Sequence, residues 1–247
     1  MREKKKVLVL GAGAVGKAIV KRYLAEGCSV AVCDDNNVLL EAVAKEYPEI
    51  QTYLVDDVKD VQKAAGIIDK AEADLGGIDG YIHTLNHYNF VPFEDMSLAQ
   101  MKEVRGRCLD SAFVWGQQVG NKLRGLGKGG FILFVINDIC AGKDELDIVR
   151  CVTQWGVKGL MRSMALTYGP FGVTVNCVCP GELDTTEDAA RRALKAAYLG
   201  ITSEEFEKNA GKLQTPEEVA EFCAFTTWEA INISGQAVLI NGGRFTN

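Results

Sequence analysis

The feature that most constrains this chain is an alternation. Short runs of β-branched and other apolar residues are separated by longer stretches with helical periodicity. Strands are predicted at Lys6–Leu10, Ser29–Cys33, Gln51–Val55, Gly80–His83, Gly130–Ile136, Val173–Val178 and Ala237–Ile240. Helices are predicted near 15–26, 37–47, 59–74, 97–123, 149–168 and 216–227, with a lid-like helical insertion over 186–210. Strand–helix alternation at this spacing requires right-handed crossovers and a mostly parallel sheet covered on both faces. No internal repeat, low-complexity tract or linker divides the chain. The expectation is therefore one α/β domain over residues 1–247, a doubly wound parallel sheet of about seven strands.

Composition narrows the function classes. A chain of 247 residues, 47% hydrophobic, buries roughly 70–75% of its unfolded surface and needs no metal or disulfide to be stable. The net charge is −6 and basic residues are scattered apart from the Lys4–Lys6 run. Nucleic-acid binding, which uses a basic face, is thus disfavoured. No apolar run approaches the ~20 residues that span a bilayer. The run Val7–Leu10 is cut short by glycines, so the N-terminal stretch reads as a strand and not a signal peptide, and a cytoplasmic location is expected. The eight cysteines contain no CxxC pair, which argues for thiols and against zinc or iron–sulfur ligation. Cys177 and Cys179 share one face of a strand and read as core packing.

The stretch "VLVLGAGAVGKAIVKRYLAEG" is a strand, a glycine turn and a helix. Gly11, Gly13 and Gly16 let the backbone approach a pyrophosphate, and the helix start offers N–H groups and a positive dipole end. An acidic pair, Asp34–Asp35, follows about 20 residues on at the end of the next strand. Asp34 is the expected ligand of the adenosine ribose, which selects NAD over NADP. The alternative is a glycine turn that only packs helix against strand.

On the predicted helix 149–168, Val149, Val152, Gly156, Leu160, Met164 and Tyr168 recur at the period of a buried stripe, with Arg150, Gln154 and Lys158 on an adjacent edge. Asp144, Glu145 and Asp147 read as a solvated helix start favoured by the dipole. His83 and His87 are the only histidines. They straddle a strand end, which disfavours metal binding. His83, His87 and Asp138 are the available substitute acid/base groups. Arg191 and Arg192 are candidates for contact with an anionic substrate or a partner subunit.

Several stretches together resemble the short-chain dehydrogenase/reductase family over nearly the whole chain. "LVDDVKD" (54–60), "LGGIDGYIHTLN" (75–86), "GLMRSMALTYGPFGVTVNCVCPGELDTT" (159–186), "LQTPEEVAEF" (213–222) and "ISGQAVLINGG" (233–243) match family segments in order and spacing. The resemblance implies a Rossmann-like fold. It also implies Asp57 beside an adenine and Thr185 beside a nicotinamide carboxamide.

The family's catalytic residues are not carried over. Its Tyr-x-x-x-Lys falls on Arg150 and Gln154, or, anchored on Lys158, puts Gln154 at the tyrosine position. None of the seven tyrosines has a Lys four positions later. The family's serine maps to Ile139, or to Asp138 if shifted by one, and its asparagine to Cys108. The glycine loop is one residue shorter than the family's, and Leu85 and Asn86 add side chains beside the cofactor strand. The reading is of a member with no catalytic residues and a doubtful claim on NAD. The resemblance implies a homologous active subunit as partner in a heterotetramer. Leu160, Met161, Met164, Phe113, Val114 and Trp115 are the expected interface residues, since the family pairs these helices between subunits. An enzyme with a substitute acid/base and an NAD-sensing module are the alternatives.

Overall fold

The computed structural model describes residues 3–88, 90–141, 147–210 and 212–243. Its strands β1 (Lys6–Leu10), β2 (Ser29–Asp34), β3 (Gln51–Leu54), β4 (Gly80–His83), β5 (Gly130–Val135), β6 (Val173–Pro180) and β7 (Ala237–Ile240) form one parallel sheet in the order β3-β2-β1-β4-β5-β6-β7. The predicted α/β class, sheet direction and strand positions agree with this.

In β1, both faces are covered. Leu8 and Leu10 enter the core packed by helices α3 (Val61–Leu75), α5 (Ser111–Leu126) and α6 (Ile148–Tyr168). Val7 and Val9 enter the opposite core, under α1 (Ala14–Ala25), α2 (Asn37–Glu46) and α9 (Pro216–Trp228). The period-2 alternation of a strand divides its side chains between these two layers. Local chemistry sets the helix ends. Asn36 and Asp60 accept backbone N–H bonds as caps, and Thr215 forms a capping box with Glu218 ahead of Pro216. β1 pairs with β2 on one side and β4 on the other. The crossovers diverge there, which opens a crevice at the carboxyl ends of the strands.

Two predicted helices differ in detail. The stretch 97–123 is α4 (Leu98–Arg105), a π-helical turn (Gly106–Asp110) and then α5. One widened turn leaves the hydrophobic spacing on either side unchanged, so periodicity does not reveal it. The insertion consists of α7 (Thr186–Leu199) and α8 (Ser203–Ala210), parted at Gly200, whose left-handed backbone (φ 68°) ends α7.

The buried face of α6 is also rotated from the expected stripe. Val149, Thr153, Val157, Met161, Met164 and Tyr168 are buried, and so are Arg150, Gln154 and Lys158. Val152 and Trp155 are exposed. The polar edge faces inward because partners wait for it there, which period counting does not register. Val114, Trp115, Met161 and Met164, expected at an interface, are core residues, Leu160 is partly buried against them, and Trp115 stacks on Tyr81. Phe113 is half exposed.

Candidate functional site

The crevice holds a cavity of about 1000 Å³ between the glycine turn, the ends of β4 and β5, and α7. Gly11, Gly13 and Gly16 all border it, but for different reasons. A Cβ on Gly11 (φ 113°) would sit 2.2 Å from Thr84 Oγ1, and one on Gly16 would sit 1.9 Å from the Gly11 carbonyl oxygen. A Cβ on Gly13 would meet nothing within 4 Å. Gly13 also caps α1 without a side-chain hydrogen bond, and the first turn carries no acid. The helix start therefore offers uncapped N–H groups and a positive dipole end to the cavity, an arrangement that fits a phosphate.

The next position along the crevice is already taken. Asp34 is 1% exposed, and its carboxylate accepts the Ala12 N–H at 2.6 Å and the Asn36 N–H at 2.9 Å. Burial pushes its carboxyl up, against the Ala12 hydrogen bond. Asp35 is ion-paired with Arg107, which the π-helical turn carries across from the α4–α5 junction. Burial pushes Asp35 up, but the hydrogen bonds from Arg107 and Asp34 and the Arg107 charge together outweigh it and hold the carboxyl below its usual range. Arg107 Nε also donates to the Asn86 carbonyl at 3.4 Å. Asp57 borders a separate cavity of about 320 Å³ and binds Lys59 at 2.7 Å.

The residues present thus fit a pyrophosphate at α1, while both carboxylates of the acidic pair, which border the same cavity, already hold partners within the protein. At the other end, Thr185 borders the cavity while its hydroxyl caps α7: it accepts from Asp188 N at 3.1 Å and bonds the Asp188 carboxylate at 2.7 Å.

On α6, Arg150 is 1% exposed and its Nε lies 2.7 Å from Asp147. Of the two acids within sequence reach, Asp147 and not Asp138 is its partner. Asp147 is buried, contrary to the expected solvated helix start; Asp144 and Glu145 lie outside the described residues. Gln154 Oε1 accepts the Asn137 N–H at 3.1 Å and its amide nitrogen donates to Asn86 at 3.4 Å, so it ties the ends of β4 and β5 together. Ile139 and Cys108 are buried behind these groups, with the Cys108 thiol 3.8 Å from Asn86 Oδ1 and pushed up to about 11 by burial.

The structure separates the proposed substitute acid/base groups. His83 is buried in the sheet, with Nδ1 2.8 Å from the Tyr81 hydroxyl, and burial pushes its pKa down to about 3. It does not reach the cavity and is neutral at working pH, so that expectation is corrected. His87 borders the cavity beside Glu103, 3.4 Å away. Asp138 is buried and accepts from Asn241 at 3.3 Å.

The group that sequence reasoning missed is Tyr88, which borders the cavity between two guanidiniums. Arg150 lies 4.5 Å and Arg191 5.5 Å from its ring centroid. Tyr88 has no Lys four positions on, so a motif search passes over it, and its neighbours come from α6 and α7. Arg191 and Arg192 are both buried; Arg191 pairs with Glu182 and Asp188, and Arg192 donates to the Leu183 carbonyl at 2.6 Å. Among the described residues, no group of three or more His, Cys, Asp or Glu residues is arranged to hold a metal ion. Nor is any helix among them long and apolar enough to cross a membrane.

Comparison with known proteins agrees with this fold. The family model described as Enoyl-(Acyl carrier protein) reductase matches residues 11–244. A dehydrogenase/reductase SDR family member 6 of Rattus norvegicus is 30% identical over 96% of each chain. A short-chain dehydrogenase/reductase of Armillaria gallica is 27% identical over 96% of this chain and 94% of its own. The crystal structure of a short chain dehydrogenase from Bacillus anthracis superposes with a TM-score of 0.82 at 23% identity, covering 97% of this chain and 96% of the other. Members of this family typically bind NAD(P) on such a crevice. With the family model spanning almost its whole length and the glycine turn, sheet order and crevice in place, this chain belongs to the short-chain dehydrogenase/reductase family.

Proposed function

We propose that this chain is a non-catalytic member of its family, serving as a supporting subunit for a homologous, catalytically complete dehydrogenase in a hetero-oligomer. The observation that carries the reading is the buried Arg150–Asp147 pair where the family places its proton-donating tyrosine. A general acid must release its proton near working pH, and a guanidinium does not. Gln154, in the place of the lysine or, anchored on Lys158, of the tyrosine, is neutral and committed to Asn137 and Asn86. Loss of general acid–base help alone costs about 10²–10⁴-fold in rate, or roughly 3–5 kcal/mol.

The outer faces of α5 and α6 support the partnership. Phe113, Val152 and Trp155 leave large apolar side chains about half exposed there, on the helices that the family pairs between subunits. The reaction class assigned to the partner is NAD-dependent oxidation of a hydroxyacyl-CoA or other alcohol. The aromatic case that the sequence resemblance suggests is 2-[hydroxy(phenyl)methyl]succinyl-CoA, and the expected assembly is a heterotetramer.

Tyr88 favours one second reading, that of an enzyme with a relocated acid/base. Burial pushes its hydroxyl up to about 12, even with Arg150 beside it. It therefore holds its proton at neutral pH and lacks the lysine that the family uses to loosen it. Purification of this chain from its native host tests the proposal. The expected result is a second ~27 kDa chain with a complete Tyr-x-x-x-Lys, and a mixture more active than that chain alone. A homotetramer of this chain with dehydrogenase activity would overturn it.

A further inference from the structure

Arg107 stands between the cavity that holds the glycine turn and Asp34 and the smaller cavity beside Asp57 and Val58. The larger cavity, beside Gly13, and the smaller one, beside Asp57, share three lining residues: Asp35, His87 and Arg107. Those three side chains are the wall between the two spaces. Arg107 is held there by three contacts. It is ion-paired with Asp35, its Nη2 lies 3.9 Å from the Asp34 carboxylate, and its Nε donates to the Asn86 carbonyl.

In a doubly wound sheet the acid at the end of the second strand is the group that accepts the ribose hydroxyls. Here that acid is Asp34, and a guanidinium paired with its neighbour Asp35 stands 3.9 Å from it. A ribose would need to displace a charge-assisted pair whose members are each about three-quarters buried. The local backbone is adapted to the task. Arg107 belongs to the π-helical turn Gly106–Asp110, a turn type found mostly at functional positions. Gly106 beside it lies close against Lys59: a Cβ there would come 2.9 Å from the Lys59 side chain.

We infer that Arg107 is an internal plug, a single residue that excludes adenosine nucleotides from a crevice whose phosphate cradle is otherwise open. The selectivity of this chain against NAD(H) is thus set by one side chain on the α4–α5 junction, not by the glycine turn. This exclusion is separable from the loss of the proton donor on α6. Its failure would leave the Arg150 reading untouched, and its success would not by itself make the chain an enzyme.

Calorimetric titration of NADH, NADPH and ADP-ribose into the whole purified chain tests the plug. Unaltered protein is expected to bind each more weakly than about 1 mM. Arg107→Leu is expected to bind NADH and ADP-ribose at least tenfold more tightly, and the gain is expected to vanish when it is combined with Asp34→Asn, which removes the ribose acceptor. Arg107→Gln, smaller in its steric demand, guards against a folding defect in the leucine variant, and melting curves check both. Micromolar NADH binding by the unaltered chain would overturn the inference. So would a preference of the unaltered chain for NADPH, which would make Arg107 a phosphate ligand. Unchanged affinity in the Arg107 variants would also overturn it.

Discussion

The two ends of the crevice have been treated differently. At the glycine turn Gly11, Gly13 and Gly16 stand in a loop one residue shorter than the family's, whereas the α6 positions onto which the family's Tyr-x-x-x-Lys maps carry Arg150 and Gln154. The contrast is explained by what each residue does for the fold. Gly11 and Gly16 are locked by packing, since a Cβ on either would strike Thr84 or the Gly11 carbonyl whether or not a ligand ever binds. Arg150 and Gln154 satisfy packing in another way, as an ion pair with Asp147 and as a bridge between strand ends. Packing alone is enough to hold Gly11 and Gly16, so these two testify to the fold, whereas Gly13, with open space at its Cβ, is the glycine that speaks to a phosphate.

That comparison is broken or sharpened by substitutions of graded size. The largest effect is expected at Arg150. Arg150→Ala leaves Asp147 buried without its partner and should cost about 3–5 kcal/mol in denaturant unfolding. A loss below about 1 kcal/mol would show that the pair is not a structural replacement. Next comes Gly16→Ala, where overpacking against backbone should cost about 1–3 kcal/mol or more. His83 supplies a pH dependence of similar size. Its folded pKa of about 3 lies below the ordinary ~6.5. Between those values the unfolded chain binds the extra proton, so stability is full above pH 6.5 and is lost as pH falls towards 3. At roughly 1.4 kcal/mol per pH unit, going from pH 6.5 to 5 should remove about 2 kcal/mol, and His83→Phe should flatten that slope. Gly13→Ala is the small contrast to Gly16→Ala. With open space at its Cβ, the change should cost no more than about 1 kcal/mol, the preference of an N-cap for Gly over Ala. A large loss there would erase the distinction between packing glycines and the cradle glycine. Smallest of all, Tyr88→Phe should leave the turnover of a reconstituted complex unchanged; a tenfold fall would assign it a proton-transfer role.

The fold was legible because alternation and glycine placement are local signals that the sheet merely assembles. The proposed loss of the catalytic set rests on residue identities alone. What escaped was everything set by partners distant in sequence. The buried face of α6 was misplaced because Arg150, Gln154 and Lys158 look like a solvated edge until their partners are found. Arg107 gave no sign of its role, because the π-helical turn that aims it at Asp35 leaves no mark on hydrophobic periodicity. His83 resembled a free imidazole until the Tyr81 hydroxyl and the sheet closed around it. Tyr88 escapes a search for Tyr-x-x-x-Lys because Pro92 stands four positions on.

The most direct test of the central claim is a turnover assay on the recombinant chain alone, with NAD and a panel of alcohols and hydroxyacyl-CoA thioesters. The account predicts no NADH formation above the background of a heat-treated control, with a folded melting curve recorded on the same sample. Oxidation at ordinary dehydrogenase rates, about 1 s⁻¹ or faster, by a preparation free of any companion chain would contradict it.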